Sequence, residues 1–405
     1  MRRTLLLLPL LAALILIPRA CDTRTGKILK GVNTLLDSLE TAHEFDTRIA
    51  YWDVGLAGDS GIYWVQGELV SKLAWEALDK HLKQDFPEVG NEVRLLTEAS
   101  DGIQVNGLIN NSVAHLRAEP SSKKELVTQA RLGAPIRILK TEGSKSLIQV
   151  ADGYMGWVNT EEVKQLDADG LKAYREAEKV VFAAQYGISY SEPNPESLPV
   201  TDLVIGNILV KVSEVSAYTQ VQYPDGRLGW VLSSTLLPAE EIFFRSTLQE
   251  NLVNTSLKFH GIPYLWGGTS SKNIDCSGLV CNVYFMNGML LPRDADMQAL
   301  IGKELTTEFE YDMLEPGDLL FFGRKATEEK EENVTHVALY MGGGEYIHSA
   351  GYRERVSINS MDSSQEHFIE RYPEIFVRAV RLLGEEFDGF TPVHQNAFYK
   401  EIISQ

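Results

Sequence analysis

Asp275-Cys276-Ser277-Gly278-Leu279-Val280 sets a cysteine between a helix-capping acid and an apolar run. An aspartate at an N-cap accepts the free N–H groups of the first turn. The stretch therefore predicts a helix that opens at Cys276 and continues over residues 278–286. Downstream, Thr335-His336-Val337-Ala338-Leu339-Tyr340 and Tyr346-Ile347-His348-Ser349 read as short strands framing Gly342-Gly343-Gly344. They form a hairpin whose two histidines, equidistant from its centre, lie near one another across the ladder. A cysteine at a helix start followed by histidines on short strands is the residue set of a thiol nucleophile and its base.

The helix N-terminus is expected to lower the thiol pKa through its unpaired N–H groups and dipole. His336 is the candidate base, and His348 would hold its imidazole in the productive tautomer. Backbone N–H groups at the helix start, with the hydroxyl of Tyr264, are the candidate oxyanion donors. Cys276, His336 and His348 also match the donor types of a three-ligand zinc site, although no close-spaced His-Glu-x-x-His pair accompanies them. No metal or organic cofactor is implied.

Around this centre, residues 246–259 carry helical apolar spacing, with Ser246 or Thr247 as the cap and Gly261 as the stop. The loop Ile262-Pro263-Tyr264-Leu265-Trp266-Gly267-Gly268 leads to Cys276, and Glu315-Pro316-Gly317-Asp318 turns into a strand over 319–322. The acidic run 328–332 reads as a solvated loop tip, and Cys281 as core packing.

Upstream, two segments repeat at an offset of 73 residues. Glu119-Pro120 recurs as Glu192-Pro193, Gly133 as Gly206, and Asp152-Gly153-Tyr154-Met155-Gly156-Trp157-Val158 as Asp225-Gly226-Arg227-Leu228-Gly229-Trp230-Val231. Short alternating strands with an Asp-Gly hairpin between them indicate a small β-barrel, here duplicated. Before the repeats, helical spacing over 27–43, strands over 47–54 and 61–67, and a helix over 71–82 form a short α/β segment that a loop at Pro87 closes.

The 405 residues fit several domains, and 44% hydrophobic with 23% charged residues is an ordinary globular composition. A formal charge of −18 excludes nucleic acid as a partner and charge-driven docking on an anionic membrane. Arg2 and Arg3 followed by an apolar run over 4–17 form an export signal too short to span a bilayer. It ends at Ile17-Pro18-Arg19-Ala20-Cys21, which resembles a lipoprotein processing site with Cys21 as the lipidated residue, simple secretion being the alternative. With Cys21 set apart, Cys276 and Cys281 remain, five apart on one helix and unable to bridge.

The repeats resemble bacterial SH3-like domains. Pro263-Tyr264-Leu265-Trp266-Gly267-Gly268, Asp275-Cys276-Ser277-Gly278-Leu279, Pro292-Arg293-Asp294, Pro316-Gly317-Asp318-Leu319, His336-Val337 and Ile347-His348-Ser349 together resemble NlpC-type cysteine peptidases in order and spacing. The resemblance implies an α+β fold. A papain-like catalytic domain (244–385) would follow two SH3-like barrels (101–168 and 176–240) and the N-terminal segment (22–100), with 386–405 as a C-terminal tail. It implies Cys276, His336 and His348 as the catalytic set.

The whole arrangement is similar to the YkfC-like branch, γ-D-glutamyl–diamino acid endopeptidases acting on peptidoglycan-derived peptides with a free N-terminal L-Ala. There the first barrel walls off one end of the groove. The roles of receiving the amine and lining the pocket would fall on Glu119 and Tyr154, and Asp275 and Ser277 would hold the substrate backbone and amine. The second repeat has Arg227 where Tyr154 stands, and Ala295 replaces a serine often found near the D-Glu carboxylate. A hydrolase of intact wall, or a non-catalytic wall-binding lipoprotein, are the competing readings. The chain is expected outside the cytoplasm as a monomer, anchored to the membrane through the lipid.

Overall fold

The computed structural model describes residues 23–42, 46–96, 106–384 and 387–403. The expected export signal and Cys21 lie outside the described residues. The chain divides into two compact units, Met1–Thr97 and Glu98–Gln405.

In the first unit, the helix Thr23–Ala42 buries Val32, Leu36 and Leu39, and the helix Lys72–Asp85 buries Ala74, Leu78 and Leu82. The i, i+3 and i, i+4 spacing of these residues puts each set on one face. Ser71 caps the second helix, its Oγ accepting from the Ala74 N–H at 3.2 Å. The first strand begins at Trp52, five residues later than the sequence suggests. Residues 46–49 turn instead, with the Arg48 guanidinium folded onto Asp46. Pro87 does not close the unit. Val89–Leu95 adds a third strand, parallel to Ile62–Leu69, with the helix Lys72–Asp85 as the crossover.

The second unit opens with the two barrels, and the repeat holds strand by strand. Strands starting at Val113, Leu126, Pro135, Lys145, Met155 and Val163 recur at Tyr186, Pro199, Ile208, Tyr218, Leu228 and Leu236, each 73 residues on. Both sevens pair in the same order. The hairpin glycines Gly153 and Gly226 both take φ near 90°, a backbone that a residue with a Cβ rarely adopts. Gly133 serves the junction: a Cβ there would lie 2.2 Å from the Ile208 carbonyl oxygen, whose own N–H donates to Leu132 O.

The catalytic region is α+β. Six antiparallel strands run in the order Lys303–Thr306, Phe376–Arg381, Leu319–Arg324, Asn333–Gly342, Glu345–Ala350, Arg355–Ser360. The helix Cys276–Phe285 is apolar nearly all round, the pattern of a helix enclosed by its domain. Leu279, Val280, Val283 and Phe285 are buried with Leu319, Phe321, Val337 and Ile347 in one core, each side chain contributing about 1.5–3 kcal/mol.

Two expectations are corrected here. The preceding helix spans Gln249–Leu257 without a side-chain cap, because Thr247 Oγ1 donates to Asn287 O at 2.7 Å instead. The segment expected as a tail is core. Phe398, Tyr399 and Ile402 are buried, and Asn396 caps a last short helix while donating to Ala151 O of the first barrel.

Candidate active site

Asp275 is the N-cap of the helix Cys276–Phe285, with Oδ1 accepting from the Gly278 N–H at 2.7 Å. Cys276 therefore occupies the first helical position. The strand Asn333–Gly342 crosses beside it, and the Val337 and Ser277 N–H groups point at its sulfur. Ser349 Oγ donates to Ile274 O at 2.7 Å, which ties the second hairpin strand to the turn before the cysteine.

The hairpin brings the histidines together as expected. His336 Nε2 and His348 Nδ1 are 2.8 Å apart, and His348 Nε2 lies 2.9 Å from Asn359 Oδ1. Asn359 settles the proton positions. Its Nδ2 donates to His367 O at 2.7 Å, so its oxygen must face His348, and His348 Nε2 must carry the proton. His348 Nδ1 is then an acceptor, receiving the His336 Nε2–H and, at 3.2 Å, the Tyr372 hydroxyl. A neutral His336 protonated at Nε2 has its lone pair at Nδ1, the nitrogen left to accept the thiol proton. The relay Asn359, His348, His336 thus prepares a base. Two imidazole nitrogens occupied with each other are not aimed at a common zinc, and no metal-binding group of His, Cys, Asp and Glu occurs among the described residues.

The electrostatics depart from the sequence reading in one respect. Burial and the adjacent Asp275 push the Cys276 thiol up to about 12, against the opposing pull of the Val337 and Ser277 N–H groups and Arg293. Burial likewise holds His336 well below 6.5, helped by His348 and Arg371, and brings His348 down to about 4. The helix N-terminus does not outweigh desolvation, which penalises both charged forms. The resting pair is a neutral thiol beside a neutral imidazole. Tyr264 stands at the same place, its hydroxyl raised to about 12 by burial and by the neighbouring acidic groups of Cys276 and Asp275.

Asp275 and Ser277 flank Cys276, but their polar atoms are engaged within the protein. The Asp275 carboxylate accepts from Gly267 N, Gly278 N and Arg293, whose Nη2 lies 2.6 Å from Oδ2. Arg293 Nη1 donates to Ser277 Oγ at 2.9 Å, and Arg293 Nε to Thr128 Oγ1 of the first barrel at 2.7 Å. Arg293 is 2% exposed, so this buried clamp joins barrel, nucleophile loop and helix.

Tyr154 is also buried at the barrel junction, its hydroxyl donating to Asp294 Oδ2 at 3.0 Å. Glu119 is exposed on the loop between Val113–Arg117 and Leu126–Arg131 and pairs with Lys124 at 2.7 Å. Glu125 on that loop accepts from the Trp266 indole at 2.8 Å, so the loop borders the cleft wall.

Sequence reasoning gave no role to Asn359, Tyr372, Arg293 or Asp294. A signal existed for Asn359: a buried asparagine inside a strand is costly unless bonded. Arg293 and Asp294 stand in a quoted motif, but their partners Thr128 and Tyr154 come from the first barrel.

Comparison with known proteins points to one family. The NlpC/P60 family model matches residues 261–372, and the bacterial dipeptidyl-peptidase Sh3 domain model matches 116–163. Dipeptidyl-peptidase 6 of Lysinibacillus sphaericus is 32% identical over 266 residues, covering 64% of this chain and 92% of that protein. A gamma-D-glutamyl-L-lysine dipeptidyl-peptidase of Bacillus cereus is 29% identical, covering 62% and 75%. Among solved structures, an NlpC/P60 family protein from Bacillus cereus shares the fold with a TM-score of 0.58 at 24% identity, over 69% of this chain and 99% of that one.

Proposed function

This chain belongs to the NlpC/P60 family of cysteine peptidases, and we propose that it hydrolyses the γ-D-glutamyl–diamino acid bond of free peptidoglycan stem peptides, releasing L-Ala-γ-D-Glu. The observation that carries this is the junction of two features: the Cys276–His336–His348–Asn359 series, and the first barrel held against it through Tyr154 and Asp294. His336 Nδ1 takes the Cys276 proton as sulfur attacks the carbonyl carbon. The oxyanion is held at the helix start with Tyr264. The imidazolium then returns its proton to the leaving amine, and water hydrolyses the thioester by the same route.

The barrel supplies the selectivity. A carboxylate walled into a closed end pairs with a free ammonium and is left unpaired by an acylated one. Asp294, bonded by Tyr154 at the barrel face, is the anion best placed for that ammonium. Glu119 reaches it by exchanging Lys124 for the substrate amine. In the polymer that amine is an amide, so free peptides are the substrates. Such a substrate belongs to the cell envelope, where the expected export signal and lipidation at Cys21 would place the enzyme.

The test is incubation with L-Ala-γ-D-Glu-diaminopimelate and its N-acetylated twin, with products followed by mass spectrometry. Cleavage of the free peptide alone is the expected outcome, abolished in Cys276→Ala. Equal cleavage of both, or of intact sacculi, would make the enzyme a general wall hydrolase. Turnover retained in Cys276→Ala would overturn the mechanism.

A further inference from the structure

Resting on that peptidase reading, we infer that Tyr372 is a positioning residue of the reaction: its hydroxyl, bonded to His348 Nδ1, holds the histidine pair in the tautomer that leaves His336 Nδ1 free for the thiol proton. His348 Nδ1 has a single lone pair, yet two donors converge on it. His336 Nε2 lies 2.8 Å away and the Tyr372 hydroxyl 3.2 Å away. With the His348 proton fixed at Nε2 by Asn359 Oδ1, the tyrosine can only donate.

Packing fixes the place of that hydroxyl. Tyr372 stands in the first turn of the helix Arg371–Ile375, where its N–H reaches Ile369 O at 3.1 Å. Its side chain is buried, and its ring meets Phe322, His348 and Tyr346 edge to face, with centroids 4.7, 5.2 and 5.8 Å away. Contacts of that kind hold a ring in one orientation. Burial, with Tyr352, Tyr346 and Cys276 beside it, raises the phenol far above its ordinary range, so it remains a donor at neutral pH and well beyond.

A proton added to the pair enters at His336 Nδ1, and the Nε2–H of His336 can then pass to His348 Nδ1. The charge would rest on His348, and His336, neutral and protonated at Nδ1, would be lost as a base. Tyr372 opposes this, because a hydrogen bond given to the neutral form disfavours the charged one. It also keeps the charge on His336 during the reaction, where it makes the stronger acid for the leaving amine. The charges around the pair do not replace this bond. Arg353 disfavours a proton on His348 and Arg371 one on His336. Glu345 on the His348 strand is held by His367, while Glu354, Arg355, Glu370 and Glu374 on the flanking elements are exposed. The strand Asn333–Gly342 carries no acid or base besides His336 and Tyr340.

The experiment compares the full chain with Tyr372→Phe, which keeps the ring and removes only the hydroxyl. The pH dependence of kcat/KM is measured on L-Ala-γ-D-Glu-diaminopimelate, and NMR spectra of the imidazole nitrogens follow the same titration without substrate. The acid limb is expected to move up by about half to one pH unit, the effect of one neutral hydrogen bond, with kcat carrying the loss and KM little changed. The spectra should show the histidine pair taking up its proton over the same higher range. An unmoved limb with an unmoved titration would overturn the inference and leave the peptidase reading standing. So would an equal loss at every pH, which is the mark of packing alone. If neither protein cleaves the peptide, the peptidase reading falls, and the titration still decides whether Tyr372 governs the pair.

Discussion

Asn359 determines which nitrogen of His336 is basic, acting through His348. Asn359→Leu removes the acceptor at His348 Nε2, so the protons of the relay are no longer fixed. We expect kcat/KM to fall by about 10²–10⁴-fold, the usual range for loss of general-base function, with far-UV circular dichroism unchanged. Asn359→Asp keeps an oxygen at the same place and should retain most activity, a contrast that mere packing damage would not produce. The pH profile follows from the neutral resting pair. Protonation of His336 removes the acceptor, and its proton affinity is depressed, so the acid limb of kcat/KM should lie below pH 6.5. Thiol ionisation, raised to about 12, should leave no alkaline limb from Cys276 near neutrality. An acid limb above 6.5 would mean that a thiolate–imidazolium pair already exists in the free enzyme.

At the scale of the elements, the helix Cys276–Phe285 and the histidine hairpin were legible because their signals are local: a capping acid before an apolar run, and two strands about a glycine turn. The strand Val89–Leu95 was not, since its alternation is weak and its place comes from pairing in parallel with a strand more than twenty residues earlier. The thiol's raised pKa was hidden for a related reason. A helix start is visible in sequence, whereas the burial that desolvates the thiol is built from core residues distant in the chain. The Arg293 clamp belongs to the same class. It spans three segments, and Asp275 serves at once as cap and as its buried counter-ion. Arg293→Met should therefore destabilise the protein by about 3–5 kcal/mol, because a buried carboxylate loses its cation. Urea unfolding monitored by tryptophan fluorescence would measure it, and a change under 1 kcal/mol would show Asp275 satisfied by the backbone alone.

At the scale of the molecule, residues 98–405 form one compact unit, and its barrels are wall as much as appendage. Gln129 of the first barrel receives the Thr269 N–H at its side chain and the Thr269 hydroxyl at its carbonyl, and Asp202 of the second pairs with Lys272 at 2.6 Å. The C-terminal segment completes the bond. Arg175, in the helix between the barrels, pairs with Glu401 at 2.8 Å, and Tyr399 lines a cavity of about 80 Å³ with Arg131 and Asp152 of the first barrel. A chain ending at residue 392 would expose the sites of Phe398, Tyr399 and Ile402. At about 1.5–3 kcal/mol for each buried side chain, this exceeds much of the stability of an ordinary domain. The loss should not fall on the peptidase region alone. Because the segment also holds Ala151 and Arg175, the first barrel should loosen with it, and the Tyr154–Asp294 contact with the barrel. The truncated protein is accordingly expected to show a lower Tm in a single transition, and whatever activity survives should discriminate less between the free and N-acetylated peptides. A truncated chain with lower Tm but undiminished discrimination would show that the closed end of the groove is built by the barrel without help from the C-terminus.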